Sequence, residues 1–273
     1  MSADPKALVL TGYGLNCDHE TVHSLSVCGF APKRVHINEL IQGAADLFDY
    51  HLLVFGGGLA WADHHGAGVL LAHRIRVNLE EELKEFVAAG RLVIGICNGF
   101  QALVNLGILP ALDREWRREV ALLANDCGNF RDDWVSLAFD PDSPSIWTRG
   151  IAFLDLPVRH GEGKLFAEPE VLARLEAQNL VAARYADAQG NPAQGAFPQN
   201  PNGALNDIAA LSDPSGRVLG LMPHPECFAH LTNHPHWSAT VDAKRRKGEE
   251  IDWRGGGLRL FENARAYLDG RES

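Results

Sequence analysis

Membrane-length apolar stretches are missing from this sequence: no window reaches the roughly eighteen uninterrupted apolar residues that a spanning helix needs. The opening MSADPKALVL also lacks a basic segment leading into a long apolar core, so no export signal is read there. Positive charge is in deficit. With 25 Lys and Arg against 35 Asp and Glu, a formal net charge of −10, the chain offers no general field for a nucleic-acid backbone. The five cysteines, at 17, 28, 97, 127 and 227, are odd in number and never in CxxC spacing, which argues against a disulfide framework or a structural zinc site. GxGxxG and Walker-type loops are absent, so the chain is expected to bind no nucleotide of its own. These absences lead to the expectation of a soluble, cytoplasmic protein with free thiols, without metal, membrane or nucleic-acid partner. Its 273 residues suffice for one large α/β domain, read as a single unit over 1–273.

What is present is alternation. Apolar, strand-like runs stand at 7–11 (ALVLT), 33–37 (KRVHI), 52–56 (LLVFG) and 92–96 (LVIGI), separated by segments long enough for helices. Residues 69–89 carry a clear amphipathic helix, with Gly90 as its C-terminal stop. A doubly wound, mostly parallel sheet of flavodoxin type is therefore expected in the first half. After Pro110 the runs at 119–123, 134–139, 156–160, 180–185, 207–211 and 217–222 are punctuated by Asp, Pro, Asn and Gly and read as an antiparallel extension. Residues 190–203 read as a long loop, and 258–268 as a closing helix.

One thiol stands out. In GICNGFQ (95–101), Cys97 follows the run LVIGI and precedes a helical pattern, so it occupies a strand-to-helix turn of the kind that Gly95 and Gly99 can accommodate. Such an elbow lifts the side chain out of the sheet and aims the helix's unpaired N–H groups at the sulfur, which favours a thiolate nucleophile. A thiolate that attacks an amide needs a base to protonate the leaving amine, a group to orient that base, and donors for the oxyanion. His224 and Glu226, two apart in LGLMPHPE, share one side of an extended chain and supply the first two. For the oxyanion, the loop FGGGLAWAD (55–63) offers backbone N–H groups at Gly57 and Gly58, and the N–H of Asn98 opens the elbow helix.

Together GICNGFQ, FGGGLAWAD and LGLMPHPE resemble the triad glutamine amidotransferases. With LTGYGLNCDHE, LPVRHGEGKLF, RYADAQGNPAQGAFPQNPNG and the tail, the resemblance narrows to the glutaminase subunits of phosphoribosylformylglycinamidine synthases and covers nearly the whole chain. It implies Cys97 as nucleophile, His224 as general base and acid, Glu226 as the orienting carboxylate, and Gln101 as a holder of the substrate's amino-acid end. It also points to His160, Gly161 and Glu162 of HGEGK as lining the glutamine pocket or the synthase contact, against the alternative of an ordinary tight turn. Two stretches depart from the family's pattern. Gly56 and LAWAD (59–63) stand where the family usually has PGGFSYGD, and Gly66-Ala67-Gly68 stands where an arginine often precedes Ala-Gly. His230, His234 and His236 with Cys227 lack metal-ligand spacing, and KRRK (244–247) reads as a solvated turn, with a docking role as the alternative.

The expected activity is hydrolysis of glutamine through a γ-glutamyl thioester, with the ammonia delivered to a large synthase subunit that carries ATP and Mg²⁺, and a small bridging subunit as a further partner. Two rival readings remain open: a Cys-His-Glu amide hydrolase acting alone, and a non-catalytic module that binds glutamine.

Overall fold

The computed structural model describes residues 4–270. From the N-terminus run β1 (Lys6–Thr11), α1 (Asp18–Val27), β2 (Ala31–His36), α2 (Ile37–Ile41), β3 (Leu52–Phe55), α3 (Val69–Ala88), β4 (Leu92–Ile96) and α4 (Asn98–Leu106). The second half holds β5 (Val120–Ala124), β6 (Arg131–Phe139), β7 (Phe153–His160), β8 (Glu162–Ala167), α5 (Pro169–Ala177), β9 (Val181–Ala186), β10 (Ile208–Ser212), β11 (Val218–Leu221), α6 (Trp237–Lys247) and α7 (Leu258–Leu268).

Nine strands form one sheet in the order β2-β1-β3-β4-β11-β10-β9-β6-β7. β2, β1, β3, β4 and β11 pair in parallel, whereas β11/β10, β10/β9, β9/β6 and β6/β7 are antiparallel. This is the α/β, doubly wound and mostly parallel sheet with an antiparallel extension that the alternation predicts. The central strands β3, β4, β10 and β11 are buried at every residue, as strands covered on both faces must be, and so read as unbroken apolar runs. α1 packs on α7, and α3 packs on α4, which continues onto β3, β4 and β11.

The sequence reading and the structure differ at four places. The run at 217–222 is not purely antiparallel. A turn at Asp213–Gly216, whose Asp213 carboxylate accepts from the amides of Ser215 (3.0 Å) and Val218 (2.9 Å), folds β11 back along β10, yet its other edge runs parallel to β4. β5 leaves the main sheet and pairs with β8, a strand that the HGEGK reading did not anticipate. α1 and α6 carry no strong apolar stripe and are not individually legible, whereas α5 buries Leu175 and packs Val171 and Leu172 on the core, too short a stripe to stand out in the sequence. KRRK is not a turn but the last turn of α6, where four cations meet the negative end of the helix before the Gly248 stop.

The turn after β4 is set by close packing. A Cβ on Gly99 would lie 1.9 Å from the carbonyl oxygen of Phe55, so α4 can rest its first turn on the end of β3 only with glycine there. Gly56, with open space around its Cβ direction, carries no such constraint. Gly99→Ala should therefore cost about 3 kcal/mol or more in urea unfolding, and Gly56→Ala about 0.5 kcal/mol or less. Equal midpoints for the two variants would show that the elbow does not depend on this contact.

Candidate active site

Loops at the carboxyl ends of the parallel strands β1, β3, β4 and β11 supply the site, the usual end for a site in an open α/β sheet, and it centres on the adjacent ends of β4 and β11. Cys97 is the whole connection between β4 and α4. Its backbone takes φ 52° and ψ −108°, outside the regular regions, a strain of about 1–3 kcal/mol that its surroundings must hold. The Cys97 N–H donates to the Leu221 carbonyl of β11 at 2.8 Å, and the buried thiol donates to the Arg159 carbonyl at 3.5 Å. Asn98 and the residues after it open α4, whose first-turn amides have no acceptor within the helix and place its positive end beside the sulfur.

β11 delivers the second component. Past Leu221 the chain reaches His224, whose N–H is tied to the Pro157 carbonyl of β7 at 2.8 Å. His224 Nδ1 and Glu226 Oε1 lie 2.6 Å apart, and both residues are 1 % exposed. Burial opposes charge on the imidazole, but the Glu226 carboxylate and then Cys97 outweigh it and hold His224 well above its ordinary value. Among the described residues His224 Nε2 and Glu226 Oε2 are buried without hydrogen-bond partners.

A cavity of about 300 Å³ joins Cys97 and His224 to Gly58 and Leu59, and also to Cys17, Glu20 and Arg159. A larger cavity, about 820 Å³, lies by Trp116 and Arg217 and contains none of these groups, so size does not select the site. The glycine loop is stitched to the loop after β1. Gly57's carbonyl accepts from the Asn16 and Cys17 amides at 3.1 and 3.2 Å, and the Leu59 N–H donates to Gly14 O at 2.9 Å. A Cβ on Gly57 would stand 2.7 Å from His224 Cε1, so the backbone runs directly beside the imidazole. The Gly58 N–H takes no partner among the described residues. Where a proline is absent at 56, these bonds and the stacking of Trp61 on Tyr13, with centroids 4.4 Å apart, hold the loop.

The remaining expected residues stand behind this cavity rather than on its wall. Gln101 bonds to Asn98 and to the Glu162 carbonyl, and the Gly161 carbonyl accepts from the Asn125 amide at 2.9 Å. His160 is buried with Nδ1 3.1 Å from Asn125 Oδ1, and burial, followed by the charge on His224, pushes its pKa down to about 3. Cys17, Glu20 and Arg159 were not singled out from the sequence. Cys17 Sγ lies 3.9 Å from His224 Nδ1, and burial raises its pKa. Its only signal, a cysteine opening a helix after a glycine-rich strand end, is shared by many structural thiols. Cys17, His224 and Glu226 each bring one possible metal-ligand atom within 4.8 Å. The 2.6 Å between His224 Nδ1 and Glu226 Oε1 is shorter than two ligands of a tetrahedral zinc at about 2.0 Å would keep. His234 instead packs edge-on to Trp134, and His230 stacks on Trp253.

Neutral His160 makes the protein acid-sensitive. Below the ordinary histidine value of 6.5 the unfolded chain binds a proton that the folded chain refuses until about pH 3, so stability falls with pH across that window. Against a His160→Gln variant, the parent should lose up to about 1.4 kcal/mol more per pH unit between pH 6 and 4. Parallel stability curves for the two would contradict a neutral His160.

A family model described as the CobB/CobQ-like glutamine amidotransferase domain matches residues 4–268. Phosphoribosylformylglycinamidine synthase subunit PurQ of Methanococcus maripaludis is 38% identical over 268 residues, 97% of this chain and 98% of that protein. The PurQ subunit of Dehalococcoides mccartyi is 41% identical over 259 residues, 95% and 96% of the two chains. Among solved structures, a chain in PurLQS from Thermotoga maritima superposes with a TM-score of 0.70 at 26% identity, covering 97% of this chain and 99% of that one.

Proposed function

This chain belongs to the PurQ family of glutamine amidotransferase domains, and we propose that it is the glutaminase subunit of a phosphoribosylformylglycinamidine synthase, acting through Cys97, His224 and Glu226. The observation that carries the residue roles is the pairing of His224 with Glu226 at 2.6 Å, in one cavity with a cysteine held on a strained elbow. The Cys97 thiolate attacks the γ-carboxamide carbon of glutamine, and the developing oxyanion is met by the Gly58 and Asn98 amides, with Gly57 shaping the loop. His224 gives its proton to the departing amine, leaving a γ-glutamyl thioester and free ammonia. It then takes a proton from water as that water attacks the thioester, releasing glutamate. Glu226 fixes the imidazole with Nδ1–H toward itself and Nε2 toward the chemistry. The family resemblance assigns the amino-acid end of the substrate to Gln101, backed by His160, Gly161 and Glu162, although its carboxamide stands behind the cavity wall rather than on it.

The relatives are named as synthase subunits, and the solved neighbour is PurLQS. The ammonia is accordingly passed to a large partner subunit, with a small bridging subunit in the complex and ATP and Mg²⁺ on the partner. Residues 1–273 work as one amidotransferase domain in the cytoplasm, and no helix among the described residues is long and apolar enough to cross a membrane. Ammonia released into neutral water becomes mostly ammonium, which is not nucleophilic, so the chemistry calls for a docked acceptor. Hydrolysis should be weak in the free chain, higher in the complex, and highest with ATP and the ribonucleotide. Full activity in the free chain would favour the stand-alone hydrolase, and none in any state the binding module.

Cys17 offers a second reading of the nucleophile because it lies 3.9 Å from the imidazole, but it approaches the nitrogen that Glu226 already occupies. Cys97→Ser should lower turnover by roughly three orders of magnitude or more, and a glutamine-analogue electrophile should label Cys97 first. Labelling at Cys17 with activity retained in Cys97→Ser would reverse the assignment. His224→Ala should be the more damaging of the base-pair variants, with Glu226→Gln about a hundredfold less so. Equal losses would mean that the carboxylate does more than orient.

A further inference from the structure

Behind the cavity, a run of buried amides connects the glycine loop to Gln101. Asn98 Nδ2 donates to Asp63 Oδ1 at 2.8 Å and to Gln101 Oε1 at 3.0 Å, while Asn98 Oδ1 accepts from the Ala60 N–H at 3.3 Å. Gln101 Nε2 then donates to the Glu162 carbonyl, and Glu162 Oε2 accepts from the Ala67 N–H at 3.0 Å. Asn98 is fully buried and Gln101 3 % exposed, so the bond between them is shielded from solvent, while Asp63 and Glu162 at the ends are half-buried.

A carboxamide can flip, presenting N–H₂ where it had presented oxygen. Here the ends of the chain forbid it. Asp63, when ionised, can only accept, the Ala60 amide can only donate, and the Glu162 carbonyl can only accept. Fixing Asn98 between Asp63 and Ala60 turns its N–H₂ toward Gln101, which fixes Gln101 with oxygen toward Asn98 and nitrogen toward Glu162. Each Gln101 group has used one of two bonding positions, and its remaining lone pair and hydrogen have a defined direction. The loop contributing Asp63 is itself strained: Trp61, Ala62, Asp63 and His65 all have φ between 52° and 65°. The Asn98 carboxamide bridges both ends of that turn, at Ala60 and at Asp63.

We propose that Asp63 and the Asn98 side chain are positioning residues that set the orientation of the Gln101 carboxamide, so that the loop after β3 and the substrate's amino-acid end are read through one hydrogen-bond chain. This rests on Gln101 holding that end of glutamine. Neither positioning group touches the reacting atoms. The loop's conformation, including any change on docking of the synthase, is thereby transmitted to substrate affinity.

The test is steady-state glutaminase kinetics of the synthase complex with Asp63→Ala, Asp63→Asn, Gln101→Ala and the double variant Asp63→Ala/Gln101→Ala, alongside Cys97 alkylation by iodoacetamide, which needs no Gln101. Asp63→Ala should raise KM for glutamine about tenfold with a smaller change in kcat and with the alkylation rate retained. Asp63→Asn, which keeps an acceptor oxygen, should recover most of the loss. The double variant should be no worse than Gln101→Ala alone, because both remove one function. Additive losses, or an Asp63→Ala effect confined to kcat, would overturn the proposal. A glutamine KM unmoved by Gln101→Ala would instead overturn the reading of Gln101 beneath it, and activity surviving Cys97→Ser would overturn the catalytic reading.

Discussion

The parallel pairing of β11 with β4 is the constraint on which the rest of the site depends. Val218 to Leu221 run beside Val93 to Ile96, and the ladder ends where Cys97 N–H meets the Leu221 carbonyl. From that register one strand hands over to the elbow and the other, three residues later, to His224. A one-residue slip would turn every side chain of β11 to the opposite face and withdraw the imidazole from the sulfur. β11 has to be buried on both faces to hold this place, and all four of its residues are.

Around this seam the other contacts divide between holding Cys97 and holding the imidazole of His224. Gly99 lets α4 rest on the end of β3, which sustains the unusual backbone of Cys97. Glu226 fixes the ring of His224, and Pro157 of β7 fixes its backbone. The two charge effects on His224 oppose each other, and the nearby carboxylate prevails over burial. His160, equally buried but paired only with neutral Asn125, goes the other way and stays uncharged. Two histidines close to one another thus take different states because only one has an anion beside it.

Local sequence carries much of this and long-range pairing the rest. LVIGI followed by Cys-Asn-Gly was enough to place an elbow, because strand, turn and helix are contiguous. His-Pro-Glu was enough to pair an imidazole with a carboxylate two residues on. The partners of β11 and the departure of β5 to join β8 were not legible, since either edge of an apolar strand can be taken until the whole sheet is assembled. Cys17 and Arg159 escaped notice for the same reason: each comes from a different strand end and acquires meaning only beside His224. The orientation of Asn98 was likewise invisible, because the motif shows an amide but not which of its two ends faces Asp63.

The seam between β4 and β11 also bears on the order in which the protein is made. Everything up to α4 leaves the ribosome before any of the antiparallel half, so the thiol exists long before its imidazole. A chain interrupted anywhere between them has the elbow sequence but lacks His224. On the proposed roles, no nascent or prematurely terminated fragment that ends before His224 can consume glutamine. Splitting the proposed nucleophile and base across distant strands makes synthesis past β11 a condition for turnover.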